Sequence, residues 1–245
     1  MLRYLPSRTY QELEPGITYL GQQRSWNAFT TEMRGLMNAQ NALKGAGLRF
    51  LTQTVSSPTL TDQIKNLLVQ YPEAKWHVWD AVNRDNVYAG ANMAFGQAAE
   101  SQYHFDKADV IVSLDADFLS SDYPGFTRYA RDFSSRRNPD ESMSRLYVIE
   151  SGATATGMKA DHRLPVLASE VESQVRALAA ALGVAVTGGA TAENASAKFI
   201  AALAADLKQH HGSAVVIAGD HQPAVVHALA HAINAALGAV GATVT

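Results

Sequence analysis

The sequence predicts a doubly wound α/β fold, a mainly parallel sheet with helices on both faces. Two observations carry that expectation. The runs Val110-Ile111-Val112-Ser113-Leu114, Arg145-Leu146-Tyr147-Val148-Ile149-Glu150 and Ala214-Val215-Val216-Ile217-Ala218-Gly219 are short and largely apolar without strict alternation, as strands buried on both faces are. Between such runs lie stretches with apolar residues at helical spacing, and strands that alternate with amphipathic helices build parallel sheets with right-handed crossovers.

Residues 1–24 are polar and interrupted by Pro6, Pro15 and Gly16, and read as an extended lead-in. From an N-cap at Ser25, the residues Trp26, Phe29, Met33, Leu36, Met37 and Leu43 recur at helical spacing until Gly45 and Gly47 stop the helix. A strand follows over 48–54. The turn Ser56-Ser57-Pro58-Thr59 caps a helix over 60–70, and a second strand over 75–80 leads to a helix ending near Gly96. The third strand, 109–114, runs through a loop from Asp115 to Asp122 into a helix at Gly125–Phe133. A charged loop over 134–141 precedes the fourth strand at 145–150. A short fifth strand is expected over 163–167, then a helix to Leu182 opened by a capping box of Ser169 and Glu172. Gly183–Ala190 is a Gly-rich junction and a candidate lobe boundary. Beyond it come a helix over Glu193–Gln209, the strand 214–219 and a helix over Pro223–Leu237.

The domains expected are therefore a lead-in at 1–24, an α/β core at 25–183, and a C-terminal αβα unit at 184–245 that either extends the same domain or forms a small lobe. Near-complete burial is expected for Trp76, Val78, Val110, Val112, Val148, Val215 and Ile217, because a sheet covered on both faces hides nearly every strand side chain.

At 245 residues, 47% of them hydrophobic, the chain has ample core for one large α/β domain or two small lobes. A net charge of -3 gives no electrostatic reason to bind nucleic acid or an anionic membrane surface. No apolar stretch approaches the ~20 residues that span a bilayer, so direct membrane insertion is not expected. The first six residues lack a hydrophobic signal core. There is no cysteine, which excludes disulfides, thiolate nucleophiles and cysteine-ligated iron–sulfur clusters within these residues.

Several chemistries are disfavoured by missing motifs. Neither G-x-G-x-x-G nor G-x-x-x-x-G-K-[ST] follows an expected strand, and Gly188-Gly189 lies outside any such fingerprint. No G-x-S-x-G elbow occurs. His227 and His231 share one helical face, but position 228 is Ala where a zinc protease motif needs Glu, so they read as solvated or core histidines. His210-His211 reads as a helix C-terminus. Asp115, Asp117 and Asp122 could gather on a hard cation, yet capping of turns is the simpler reading. Arg136-Arg137 reads as a solvated loop charge.

Three tracts carry a resemblance: Tyr103-His104-Phe105-Asp106-Lys107-Ala108-Asp109-Val110-Ile111-Val112-Ser113-Leu114, then Thr154-Ala155-Thr156-Gly157-Met158-Lys159, then Ala160-Asp161-His162-Arg163-Leu164-Pro165. Over residues 25–240 the chain resembles the molybdopterin-oxidoreductase-like region of the large iron–sulfur subunit of alternative complex III, a bacterial quinol-oxidising membrane complex. In molybdenum enzymes with a bis-guanine-dinucleotide cofactor, the strand matching 109–114 ends in a Gly-Ser/Ala-Asn-Pro loop and the strand matching 145–150 ends in Asp-Pro-Arg, and both loops contact nucleotide. Here the loops are Leu114-Asp115-Ala116-Asp117 and Glu150-Ser151-Gly152-Ala153-Thr154, with carboxylates that repel pyrophosphate and no arginine to pair with it.

The resemblance implies a scaffold of the molybdenum-enzyme fold without the cofactor, serving a respiratory oxidoreductase at the periplasmic face of the inner membrane. It implies iron–sulfur clusters elsewhere in the parent subunit, and as partners that cluster domain and other membrane-complex subunits. The alternative is a genuine domain binding molybdopterin guanine dinucleotide. No catalytic or metal-ligating residue is assigned. A vestigial cleft is expected where Ser113, Asp115, Asp117, Glu150, Thr154, Asp161 and His162 converge on one sheet edge, with Thr154 and His162 donating hydrogen bonds to the carboxylates.

Overall fold

The computed structural model describes residues 17–186 and 195–245. Two compact units meet in sequence at Ala81 and Val82. Most of the expected lead-in, part of the Gly183–Ala190 junction and the first residues of the Glu193–Gln209 helix lie outside the described residues.

The first unit opens with a hairpin of β1 (Thr18–Tyr19) and β2 (Gln22–Gln23). Its turn residues Leu20 and Gly21 both take positive φ, which matches the twist of a two-residue hairpin. The helix α1 (Trp26–Ala42) starts where the Ser25 hydroxyl accepts the Ala28 amide. The turn after it closes at Gly45, whose amide donates to the Gln40 carbonyl and whose φ of +80° and approach to Tyr71 leave no room for a side chain. Then come β3 (Arg49–Thr52), α2 (Pro58–Gln70), capped by Ser57 with proline in the first turn, and β4 (Lys75–Val78). β3 and β4 pair in parallel, Arg49 opposite Lys75.

This is the main departure from expectation. The strands at 48–54 and 75–80 form a two-stranded sheet of their own. Trp76 is half-buried and Val78 is 50% exposed, against the burial expected of them. A strand is hidden on both faces only when neighbours flank it and helices cover it, and in a pair of four-residue strands neither is central.

The second unit holds the doubly wound sheet. In chain order it contains α3 (Asp85–Phe95), β5 (Val110–Leu114), α4 (Phe126–Ser135), β6 (Arg145–Glu150), β7 (His162–Pro165), α5 (Val171–Ala181), α6 (Ala195–Gln209), β8 (Ala214–Ala218) and α7 (Ala224–Ala236). The four strands are parallel in the order β7-β6-β5-β8. The C-terminal strand β8 thus pairs directly with β5, in register Val110 opposite Ala214.

Alternate residues of these strands separate two cores. Val110, Val112, Leu114, Tyr147, Ile149 and Val216 pack against α5, α6 and α7 through residues such as Val175, Leu203 and Ile233. Ile111, Leu146, Val148, Val215 and Ile217 face the opposite way onto Phe105, Phe118, Tyr129 and Phe133. There Phe105 lies 4.4 Å from Phe118 and 5.1 Å edge-on from Tyr129, between ring centroids. Each such side chain contributes about 1.5–3 kcal/mol by leaving water. The strand residues expected to be buried in this unit are all buried.

Two local expectations are corrected. Ser169 and Glu172 do not form the capping box. The Glu170 carboxylate instead accepts the Leu167 amide at 3.1 Å, and Glu172 pairs with Arg176 one turn on. Arg136 and Arg137 are not free solvated charges, because each finds a carboxylate: Arg136 meets Asp109 at 2.6 Å and Arg137 meets Asp161 at 2.8 Å.

At the outer edge of β8, the buried Asn234 side chain of α7 takes the place of a neighbouring strand. Its Oδ1 accepts the Val216 amide and its Nδ2 donates to the Val216 carbonyl, both at 2.8 Å.

Candidate functional site

In a parallel sheet, whatever follows a strand gathers at the C-terminal edge, where doubly wound proteins place ligands. Following β5, Asp115 takes φ +56°, a left-handed conformation uncommon for a residue with a side chain. That bend turns its buried carboxylate across the strand ends. The carboxylate accepts the Ser151 amide at 3.2 Å and hydroxyl at 3.3 Å from the loop after β6. From the loop after β8 it meets the Gln222 amide nitrogen and His221 Nε2, each at 3.0 Å. All three strand ends are tied to one side chain. Ser113 closes the start of the same loop, donating to the Ala116 carbonyl at 2.8 Å and accepting its amide at 3.0 Å.

The other carboxylates of this edge are also satisfied internally. Asp117 accepts both the amide and the hydroxyl of Thr156, at 2.8 and 2.7 Å. Glu150, 1% exposed at the end of β6, takes the Arg163 guanidinium and the Thr154 hydroxyl, the latter at 2.6 Å. Burying such a charge is tolerable only with this pairing. Gly157 lies so close that a Cβ there would sit 1.9 Å from the Glu150 carboxylate. Gly219 is as tightly placed, since its Cβ would fall 2.2 Å from the Asp115 carbonyl.

Ser113, Asp115, Asp117, Glu150 and Thr154 are therefore brought to one edge. Asp161 and His162 are not. Asp161 precedes β7 and makes two hydrogen bonds with the start of β6: its amide donates to the Leu146 carbonyl at 2.9 Å and its carboxylate accepts the Leu146 amide at 2.8 Å. It lies at the opposite end of the sheet, locked bidentately to Arg137. Burial raises the Asp161 pKa, but the Arg137 guanidinium and the Leu146 amide outweigh it and hold the carboxyl below its ordinary range. His162 stacks on Tyr147 at 4.6 Å between centroids and reaches none of the C-terminal carboxylates.

Sequence reasoning missed Ser151, Thr156, His221 and Gln222. The available signal was the polar run Gly219-Asp220-His221-Gln222-Pro223 between an expected strand and helix. Its relevance to Asp115 depends on β8 lying beside β5, which local sequence does not reveal.

A second polar group occupies the C-terminal end of β8. Arg84 pairs with Glu100 at 2.6 Å and with Asp220 at 3.2 Å. Burial, seconded by the charge on Glu100, raises the Asp220 pKa against the pull of Arg84. A cavity of about 10 Å³ is lined by Arg84, Tyr103, Tyr123, Asp220, His227 and His231. His227 is 5% exposed and its Nε2 finds no hydrogen-bond partner. Burial first, then the neighbouring His231 and Arg84, lower its pKa to about 4. Among the described residues, no group of three or more histidines and carboxylates is placed to hold a metal ion, and no helix is long and apolar enough to cross a membrane.

No protein-family model and no curated protein matches the chain. Its fold is similar to that of solved structures. One is acetylene hydratase from Pelobacter acetylenicus, at TM-score 0.55 and 12% identity, covering 95% of this chain and 36% of that one. Another is a chain of the formyltransferase/hydrolase complex from Methylorubrum extorquens, solved with methylofuran, at TM-score 0.52 and 17% identity, covering 86% of this chain and 55% of that one. The chain thus spans about half or less of the length of these structures. Identities this low establish a shared α/β fold and no more.

Proposed function

We propose that this chain is a molybdopterin-oxidoreductase-like scaffold domain that has lost its cofactor site and supports electron transfer from quinol within a membrane-associated respiratory complex. The fold likeness to acetylene hydratase across nearly the whole chain supports the molybdopterin-oxidoreductase-like part of this reading. The tracts around Tyr103–Leu114 and Thr154–Pro165 support the finer assignment to the large subunit of alternative complex III. On this reading the chain docks the iron–sulfur domain of its own subunit and other subunits at the periplasmic face of the inner membrane. The clusters lie elsewhere in the parent subunit, and this chain alone is without redox activity.

The observation that carries the proposal is the Asp115 hub. The residues at this edge do not fit a guanine dinucleotide. The space beside Gly219 is taken by the Asp115 carbonyl, the Asp115 carboxylate is turned across the strand ends, and the Arg163 guanidinium is held by Glu150 and so is not free to pair with phosphate. A pyrophosphate entering here would meet negative charge and would have to displace hydrogen bonds already made.

Calorimetry with guanosine diphosphate at low salt tests the edge directly, and no saturable binding is expected. Binding tighter than about 100 μM, roughly -5.5 kcal/mol, would favour the alternative, a genuine molybdopterin-guanine-dinucleotide domain. Molybdenum and pterin analysis of the full-length subunit decides the same question, with about one molybdenum atom per chain overturning the proposal.

A further inference from the structure

We propose that α1 is the seam of an antiparallel two-helix homodimer, which goes beyond the scaffold reading and does not depend on it. The helix carries a seven-residue repeat. Trp26, Met33 and Gln40 occupy one set of seam positions and Phe29, Leu36 and Leu43 the other, Leu43 being the residue that caps the helix. That 3.5-residue period is the narrow stripe of a coiled coil. Such a stripe ordinarily packs inward, yet no residue of α1 is buried. Trp26 is 67% exposed, Phe29 39%, Met33 38%, Leu36 57% and Leu43 55%.

The symmetry of the repeat names the occupant. Laid antiparallel against a second copy of itself, α1 sets Trp26 against Leu43, Phe29 against Gln40 and Met33 against Leu36, with a two-fold axis passing near Arg34 and Gly35. Each aromatic residue then meets a smaller one and Met33 meets one of its own size, so the seam has even thickness. A parallel pair would stack indole on indole at one end and Gln40 on Gln40 at the other. Gln40, the one polar seam residue, lies opposite Phe29 of the second copy with its carboxamide turned toward its own chain. Its Oε1 is already positioned by the Gly47 amide at 3.1 Å. Beside the seam, a groove of about 380 Å³ lined by Tyr19, Phe29, Met33 and Leu36 has room for the knob from a second helix.

The area suffices. At about 200 Å² for a side chain of this size, the exposed fractions leave on the order of 500 Å² of apolar surface per protomer. Covered in full, the pair buries up to about 1,000 Å², the low end for a specific interface, in a closed two-fold arrangement.

Sedimentation equilibrium on the intact chain, from about 1 to 100 μM, reads the outcome. The expected result is a reversible dimer of twice the 26.3 kDa chain mass. M33E and L36E should each weaken it at least tenfold, while T31E and N38E on the opposite face leave it unchanged. Met33 and Leu36 are already more than a third exposed, so glutamate there opens no core, and unaltered circular dichroism checks this. Because the chain has no cysteine, N27C carries a single spin label. Labels in the antiparallel dimer should lie about 25 Å apart, the length of a 17-residue helix. A monomer at 100 μM overturns the proposal, as does a dimer indifferent to M33E and L36E. Labels within about 15 Å overturn the antiparallel register.

Discussion

Protonation of His227 should be the main acid-sensitive point of the second unit. The imidazole is buried against α3 and its Nε2 is unpartnered, so its neutral form is the one the fold accommodates. With a folded pKa of about 4 and an unfolded value of 6.5, the unfolded chain binds the proton first as pH falls. Stability is therefore complete above pH 6.5 and is lost as pH drops from 6.5 toward 4. Linkage between those values gives a loss of about 1 kcal/mol at pH 5.5 and about 2–3 kcal/mol at pH 4.5. His231, Arg84 and Asp220 also face this site, so the measurement is a difference. Urea denaturation of the wild type and His227→Gln at pH 7.5, 5.5 and 4.5 isolates the one imidazole. The variant should lose less stability on acidification by about those amounts. An NMR titration that placed His227 near 6.5, or parallel pH profiles for the two proteins, would refute the reasoning.

Four substitutions test the packing of the strand ends and of α3 against α7. Asp115→Ala leaves the Ser151 and Gln222 donors without their acceptor and keeps a Cβ at φ +56° without the side-chain hydrogen bonds that hold it there. A loss of about 3 kcal/mol is expected by thermal melting. Asp115→Gly should be about 1 kcal/mol milder, because glycine adopts that φ freely, and equal losses would show that the backbone there is unstrained. Gly157→Ala should cost about 1–3 kcal/mol by driving a Cβ into the Glu150 carboxylate that Arg163 and Thr154 hold in place; a neutral result in chemical denaturation would mean that the carboxylate is free to move. Gly90→Ala improves helix propensity by about 1 kcal/mol but sets a Cβ 2.3 Å from that of His227 and 2.8 Å from the Ala224 carbonyl, so net destabilisation is expected, and a stabilised variant would show that α3 and α7 are not in close contact.

β5, β6 and β8 were legible because a strand covered on both faces is written as an unbroken apolar run, and each such run became a strand within one residue of expectation. The separation of β3 and β4 into their own sheet was not legible. Leu48–Thr54 reads like any short strand, and which strands pair is decided by packing that no local window contains. Asp115 as a strand-end residue could be read directly. Its partners His221 and Gln222 could not, because they lie over 100 residues away and reach it only through the β5–β8 pairing. The misplacement of Asp161 is different in kind. It stands before its strand, and in a parallel sheet residues preceding a strand lie at the opposite end from those that follow one. Arg136 and Arg137 show the weakness of judging loop charges by composition, since each is claimed by a carboxylate 24 or more residues away.

The Asn234 amide gives the sheet a direction of growth. By satisfying both backbone groups of Val216, it occupies the template that an incoming polypeptide would copy at β8. The far border, β7, is protected differently: Pro165 ends it without an amide hydrogen and Arg163 is committed to Glu150. One border is thus capped by two side chains, Asn234 on Val216 and the Thr243 hydroxyl on the Ala214 carbonyl, and the other by a residue that cannot donate at all. Asn234→Leu would free the amide and carbonyl of Val216 on the β8 side alone, so strand-exchanged or aggregated species of that variant should form through β8 and leave β7 unpaired.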